Sequence, residues 1–351
     1  LSAFIKDIFS LPETLRRAID TYPIDSILAI KDMILEEKFD RIILSGMGAS
    51  MYAVMPVSIH LSGLRIPVYS INAAELYYYT NSQIGNRTLL WLNSQSGKSI
   101  EIINLIESFK LNPPKTVIAS VNDGNSPLAK AANYSLLINA GHESIVSVKT
   151  YCNMLAINLM AALQINGMDI KQLQQQLNMV ADQLQQFLEG WESKISLLDG
   201  LLGDFRTLFI LGRGTSMGSA EYGALVCKES VRCAFDGIHS ADFRHGPLEL
   251  VQPDLSAIML AGHPLTKQIN INLAKDIKNY GGQVVWIDSE ENKDLPTFKL
   301  PFVENWTSPF FEMIVMQLLS VVMARRKGIE PGDSRQINKI TTKELMQVYV
   351  F

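Results

Sequence analysis

Apolar residues in this chain come in short blocks of about five. Each block closes in a turn and is followed by a longer segment whose apolar positions recur at three- and four-residue steps. The first such block opens the stretch "RIILSGMGAS" at 41–50, and others follow at 88–92, 116–121 and 134–138. The series then restarts with "TLFILGRGTS" at 207–216 and continues at 256–260, 283–287 and 298–303. Helical patterns fill most of the gaps, including 100–110 and 266–280. Strands alternating with helices at this spacing predict an α/β fold, a doubly wound parallel sheet covered by helices on both faces.

The pattern is written twice. Gly46, Gly48 and Ser50 are matched by Gly212, Gly214 and Ser216, all at an offset of 166. Two tandem parallel-sheet domains are therefore expected, at 24–167 and 203–332. Between them, 168–202 is rich in Gln and Leu, with Leu173, Leu177, Val180, Leu184 and Leu188 at helical spacing, which predicts an amphipathic helix joining the halves. A helical segment at 1–23 and a tail at 333–351 complete the plan.

Composition narrows the classes of function. With 351 residues, 47% of them hydrophobic, the chain can bury a large core. A net charge of −4 supplies no broad basic surface, so a nucleic-acid partner is not expected; Arg325, Arg326 and Lys327 read as cations at a helix C-terminus. Cys152, Cys227 and Cys233 show neither CxxC nor zinc-ligand spacing, so reduced thiols are expected and no metal or cofactor. No secretory signal is read at the start. No run of about 20 apolar residues is read either, so no spanning helix is expected. A soluble cytoplasmic protein follows as the expectation.

Candidate chemistry concentrates at two places. The turn "SQSGKS" places Ser94, Gln95, Ser96 and Ser99 around Gly97 at the carboxyl end of a predicted strand, where open parallel sheets bind ligands. Hydroxyls, an amide and helix N–H groups can meet the oxygens of one phosphoryl group without a basic cluster. A dinucleotide fingerprint is not completed, because position 51 is Met51, and a Walker loop fails at Leu92. The same positions in the second copy hold Leu260, Ala261, Gly262 and His263, so only the first half carries the polar set. Lys98 has two readings, added charge in the pocket or a solvent-facing side chain.

The second half instead gathers Glu229, Asp236, His239, Asp242 and His245, closed by Gly246 and Pro247. A carboxylate and an imidazole at one cleft can shuttle protons. Spacing equally allows Glu229 to cap Arg232 and His245 to hold the Gly-Pro turn.

Taken together, "GMGAS", "SQSGKS", "IVSVK", "VCKES", "FRHGPLELV" and "SRQINKITTKE" resemble the double sugar isomerase (SIS) domain proteins over nearly the whole chain from about Ile24. The likeness extends to the isomerase half of glucosamine-6-phosphate synthase and to the related amino-sugar-phosphate deaminases and fructosamine-phosphate deglycases. It implies that Ser50, Ser94, Gln95, Ser96 and Ser99 hold a sugar phosphate and that Ile145 and Ser147 contact the sugar. Glu229 would move a proton between C1 and C2. His245 would assist ring opening or protonate the leaving group from a neighbouring subunit, in at least a homodimer. Lys339 would form a Schiff base with the open-chain ketose. Two departures stand out: Val226 replaces a lysine of the synthase, and Lys98 replaces a glutamate of its phosphate turn. No glutaminase domain is present in this sequence, which turns the expectation toward isomerisation, deamination or deglycation. A non-catalytic sugar-phosphate sensor is the alternative of another class.

Overall fold

A computed structural model describes residues 1–301 and 304–342. Strands β1 (Arg41–Gly46), β2 (Val68–Asn72), β3 (Thr88–Asn93), β4 (Thr116–Val121) and β5 (Tyr134–Leu137) form one sheet in the order β2-β1-β3-β4-β5. Strands β6 (Thr207–Gly212), β7 (Asp236–His239), β8 (Leu255–Leu260), β9 (Gln283–Asp288) and β10 (Thr297–Lys299) form the second, β7-β6-β8-β9-β10. The two orders are the same when read from the first edge, and every pairing is parallel. The expected pair of doubly wound α/β sheets is what the chain forms. The central strands β3, β4 and β8 are buried at every position, which requires helices on both faces.

Two edge strands, β2 and β7, escaped the sequence pattern. β7 contains Asp236 and His239, which the sequence pattern assigns to a polar segment. The apolar run at 298–303 yields only the short β10, and positions 302 and 303 lie outside the described residues.

The segment between the halves is two helices, Ile170–Leu188 and Trp191–Leu202, where the sequence pattern predicts one. The break falls at Gly190, whose φ of +65° is left-handed and favours glycine. The expectation that no helix could span a bilayer also needs correcting. Ser308–Lys327 is long and apolar enough by length and composition, yet 89% of its most apolar window is buried inside the fold. It packs along the helix Ser216–Val231, with Gly223 opposite Met316. Its last turn carries Arg325, Arg326 and Lys327, as read from sequence, and Lys327 Nζ donates to the carbonyls of Val231 and Arg232 at 2.9 and 3.0 Å. That contact closes the C-terminus of Ser216–Val231, at the end that carries Glu229.

The halves meet where Ser216–Val231 crosses the helix Ala49–Leu61. A Cβ at Gly218 would lie 2.5 Å from the Tyr52 carbonyl oxygen, so the approach depends on glycine there. Beside the crossing, Tyr222 stacks on Tyr151 with ring centroids 3.8 Å apart and donates its hydroxyl to the Ser147 carbonyl at 2.8 Å. A helix of the second half is thereby fixed against the first half's carboxyl edge.

Candidate active site

At the carboxyl ends of β1 and β3, where the strand order reverses, the first sheet opens into a cavity of about 300 Å³. Each strand feeds a tight turn and then a helix. Gly48, at φ +51°, turns the chain from β1 into Ala49–Leu61, with Ser50 in the first turn. Gly97, at φ +60°, does the same after β3, and a Cβ there would fall 2.4 Å from Ser126 Oγ.

The hydroxyls of the second turn are partly used by the turn itself. Ser94 Oγ accepts from the Gly97 N–H and Ser96 Oγ from the Lys98 N–H, each at 3.1 Å. Because these oxygens act as acceptors toward the turn, their protons remain to be donated into the cavity. Ser99 precedes the helix Ile100–Ser108 and makes no side-chain cap bond. Ser50, Ser94, Gln95, Ser96 and Ser99 all line the cavity. Lys98 does not: its Nζ pairs with Asp123 at 2.8 Å on the surface. Of its two sequence readings, the solvent-facing one describes its place.

Behind the turn lies a buried polar chain. Trp91 Nε1 donates to Ser120 Oγ, Ser120 to Asn158 Oδ1, and Asn158 Nδ2 to Asn93 Oδ1, at 2.9, 2.6 and 2.7 Å. It ties the ends of β3 and β4 to the helix Lys149–Ile165 and so fixes the cavity floor at Asn93.

Ile145 and Ser147 form another wall, and Glu229 enters from the second half on the last turns of Ser216–Val231. Burial raises its carboxyl from the usual carboxylate value to about 7, opposed by the charge of Lys339 and reinforced by that of Glu143. Lys339 reaches the cavity from the irregular tail. Glu229 does not cap Arg232; the Arg232 guanidinium donates to the Asp333 carbonyl instead.

His245 stands apart. It is exposed in the turn after the helix Ser240–Phe243, its N–H donating to the Asp242 carbonyl at 2.8 Å, and it is not among the cavity's lining residues. Within one chain, then, the cavity unites Ser50, Ser94, Gln95, Ser96, Ser99, Ile145, Ser147, Glu229 and Lys339, and leaves out His245 together with Lys98, Asp236, His239 and Asp242. Val226 is buried in the core of its helix, away from the cavity wall.

Sequence reasoning missed two carboxylates. Glu101 lies in the first turn of Ile100–Ser108, and its Oε2 is buried with no hydrogen-bond partner among the described residues. Glu143 accepts from the Val148 and Thr150 N–H groups at 2.8 and 3.0 Å, from the Thr150 hydroxyl at 2.6 Å and from Lys339 Nζ at 2.5 Å. A glutamate a few positions before a helix start was the only available signal for Glu143. A second, more open cavity of about 580 Å³ adjoins the first and shares Gln95, Ile145 and Lys339 with it.

The family pattern described as SIS domain matches residues 33–164 and 201–324. Among curated relatives, glutamine–fructose-6-phosphate aminotransferase (isomerizing) of Pyrococcus horikoshii is 26% identical over 97% of this chain. The chain spans 57% of that relative's length. Among solved structures, the C-terminal domain of glucosamine-fructose-6-phosphate aminotransferase from Francisella tularensis superposes with a TM-score of 0.83 at 21% identity, covering 94% of this chain and 97% of that one. Glucosamine-6-phosphate deaminase from Thermotoga maritima gives 0.77 at 21% identity, covering 97% and 99%.

Proposed function

The chain belongs to the SIS domain family, and from that premise we propose that it is a phosphosugar isomerase or deaminase. Its substrate would be a hexose 6-phosphate or an amino-sugar 6-phosphate in open-chain form, with a proton moved between C1 and C2. The observation that carries this reading is convergence: a polar anion turn, a carboxyl raised to about 7 and a lysine share one cavity of about 300 Å³.

The roles follow from the chemistry of each group. Hydroxyls of Ser50, Ser94, Ser96 and Ser99, with the Gln95 amide and the helix terminus, receive the phosphate and so fix the far end of the sugar. Binding energy spent there orients C1 and C2 against the base. Glu229, titrating near neutrality, can take a proton from one carbon and return it to the next. Lys339 would condense with the ketose carbonyl, and the resulting iminium would acidify the adjacent C–H. The unpartnered Glu101 oxygen would accept a sugar hydroxyl. His245 would come from a second copy of the chain and serve ring opening. Names of the relatives support this substrate class, since they act on fructose 6-phosphate or glucosamine 6-phosphate.

One observation favours a second reading, a deglycase that releases a larger amine from a fructosamine-type 6-phosphate. The adjoining cavity of about 580 Å³ gives room beyond Lys339, where a substituent on the reacting end of the sugar would lie.

The test is incubation with hexose, aminohexose and fructosamine 6-phosphates in deuterated water, following label at C1 or C2 together with released amine. Exchange alone indicates an isomerase, ammonia a deaminase and a larger amine a deglycase. Tight binding with neither exchange nor amine release across the panel would replace the enzyme with a sugar-phosphate sensor.

A further inference from the structure

Lys339 sits on a segment without regular secondary structure, residues 333–342. Before it, the Gly332 N–H donates to the Ser230 carbonyl and Ser334 Oγ to the Glu229 carbonyl, at 3.0 and 3.1 Å. After it, the Ile100 N–H donates to the Thr341 carbonyl at 3.1 Å. Between these points Lys339 is held by Glu143.

Glu143 is well suited to be the fixed partner. Its side chain is 1% exposed, and its Oε1 takes two amides at the N-terminus of Lys149–Ile165. Oε2 takes the Thr150 hydroxyl and the Lys339 ammonium. Three of these four donors belong to the helix start, so the carboxylate is anchored whether or not the lysine is present. The neighbouring cation, Lys149, is engaged elsewhere, with Asp7 at 2.8 Å and the His142 carbonyl.

We propose that Glu143 is the positioning residue for Lys339, clamping its Nζ at the wall between the two cavities and keeping the tail docked. This rests on the proposed imine role of Lys339 and extends it. When the ammonium condenses with the ketose carbonyl, a C–N bond forms and the carbonyl oxygen leaves as water with two of the nitrogen's protons. The positive charge stays on the iminium nitrogen. Glu143 therefore faces a cation on that atom both before and after condensation, and holds it in one place through the step.

The test compares wild type, Glu143→Gln and Lys339→Met. With fructose 6-phosphate and borohydride, wild type should yield a reduced adduct on Lys339, and Glu143→Gln should form it at least ~10-fold more slowly. Its affinity for the sugar phosphate should change little, because the phosphate turn is untouched. Limited trypsin digestion reads the clamp without reference to chemistry. Cleavage after Arg335, in the tail, should accelerate in both variants while the body stays intact. Lys339→Met keeps this readout available if Glu143→Gln does not fold. Unchanged cleavage after Arg335 in the folded variants, or wild-type trapping by Glu143→Gln, overturns the clamp. Absence of any wild-type adduct on Lys339, with faster cleavage in the variants, retains the clamp and removes the imine from the proposed function.

Discussion

Glu229 occupies a site that works against its own charge. Burial lifts the carboxyl from 4.5 in the unfolded chain to about 7, and Lys339 offsets only part of this. The sign of the linkage follows: below pH 4.5 the group is protonated in both states and costs nothing, and the penalty grows as pH rises toward 7. Glu229→Gln removes a charge that folding disfavours. The variant is expected to match wild type near pH 4.5 and to exceed it at pH 8 by on the order of 3 kcal/mol, read by urea denaturation. The same variant should lose C1–C2 exchange by about 10²- to 10⁴-fold while still binding sugar phosphate. Equal loss of exchange and binding would show that Glu229 supports the pocket instead of the proton transfer. At this scale the serines of the turn were legible because they interrupt an apolar edge in one copy only. Glu101 and Glu143 were not, since a lone glutamate beside a helix start looks like ordinary capping. The direction of Lys98 was also unreadable, because spacing within a turn does not say which side a side chain takes.

Among the elements, legibility followed burial. Strands packed on both faces announce themselves as continuous apolar blocks, and β3, β4 and β8 were read closely. Edge strands β2 and β7 have mixed exposure and carry Tyr69, Ser70, Asp236 and His239, so no block exists to find. Ser308–Lys327 shows the opposite limit: Arg325, Arg326 and Lys327 mark its end in the sequence, but its apolar length is under-read. A helix buried nearly all round loses the one-sided stripe and comes to resemble a membrane segment in composition. The break at Gly190 was visible only as one glycine inside a convincing periodicity. The crossing of Ser216–Val231 over Ala49–Leu61 yields a sharper expectation. Gly218→Ala places a methyl against the Tyr52 carbonyl, so the helices must separate. A loss of about 1–3 kcal/mol is expected, together with a fall in kcat larger than any change in KM, because Glu229 moves while the phosphate turn stays. A melting curve and steady-state kinetics on one preparation check both, and a stable variant with wild-type kcat would show that the spacing is not critical.

For the molecule as a whole, duplication explains why two sheets of the same strand order contribute unequally. The first holds the polar turn at its switch point, and the second sends one helix across to meet it. His245 lies outside its own chain's cavity, which makes the proposed contribution from a second copy directly testable. Mixed oligomers of Glu229→Gln and His245→Ala should regain activity that neither variant has alone, since one site in each hybrid would combine an intact Glu229 with an intact His245. No recovery after verified subunit exchange would place His245 outside the chemistry. Sequence could reveal the two halves through the repeat offset. It could not reveal which surfaces approach which, since that depends on helix crossings encoded in single small residues.

The close crossing at Gly218 also bears on how such a protein can diversify. Because Glu229, the proposed proton-moving group, rides on a helix locked against the first half, mutations there are expected to damage folding before they alter preference. New specificities are therefore expected to accumulate at the less buried positions of 142–147 and in 333–342, which line the cavities around Lys339 away from that crossing.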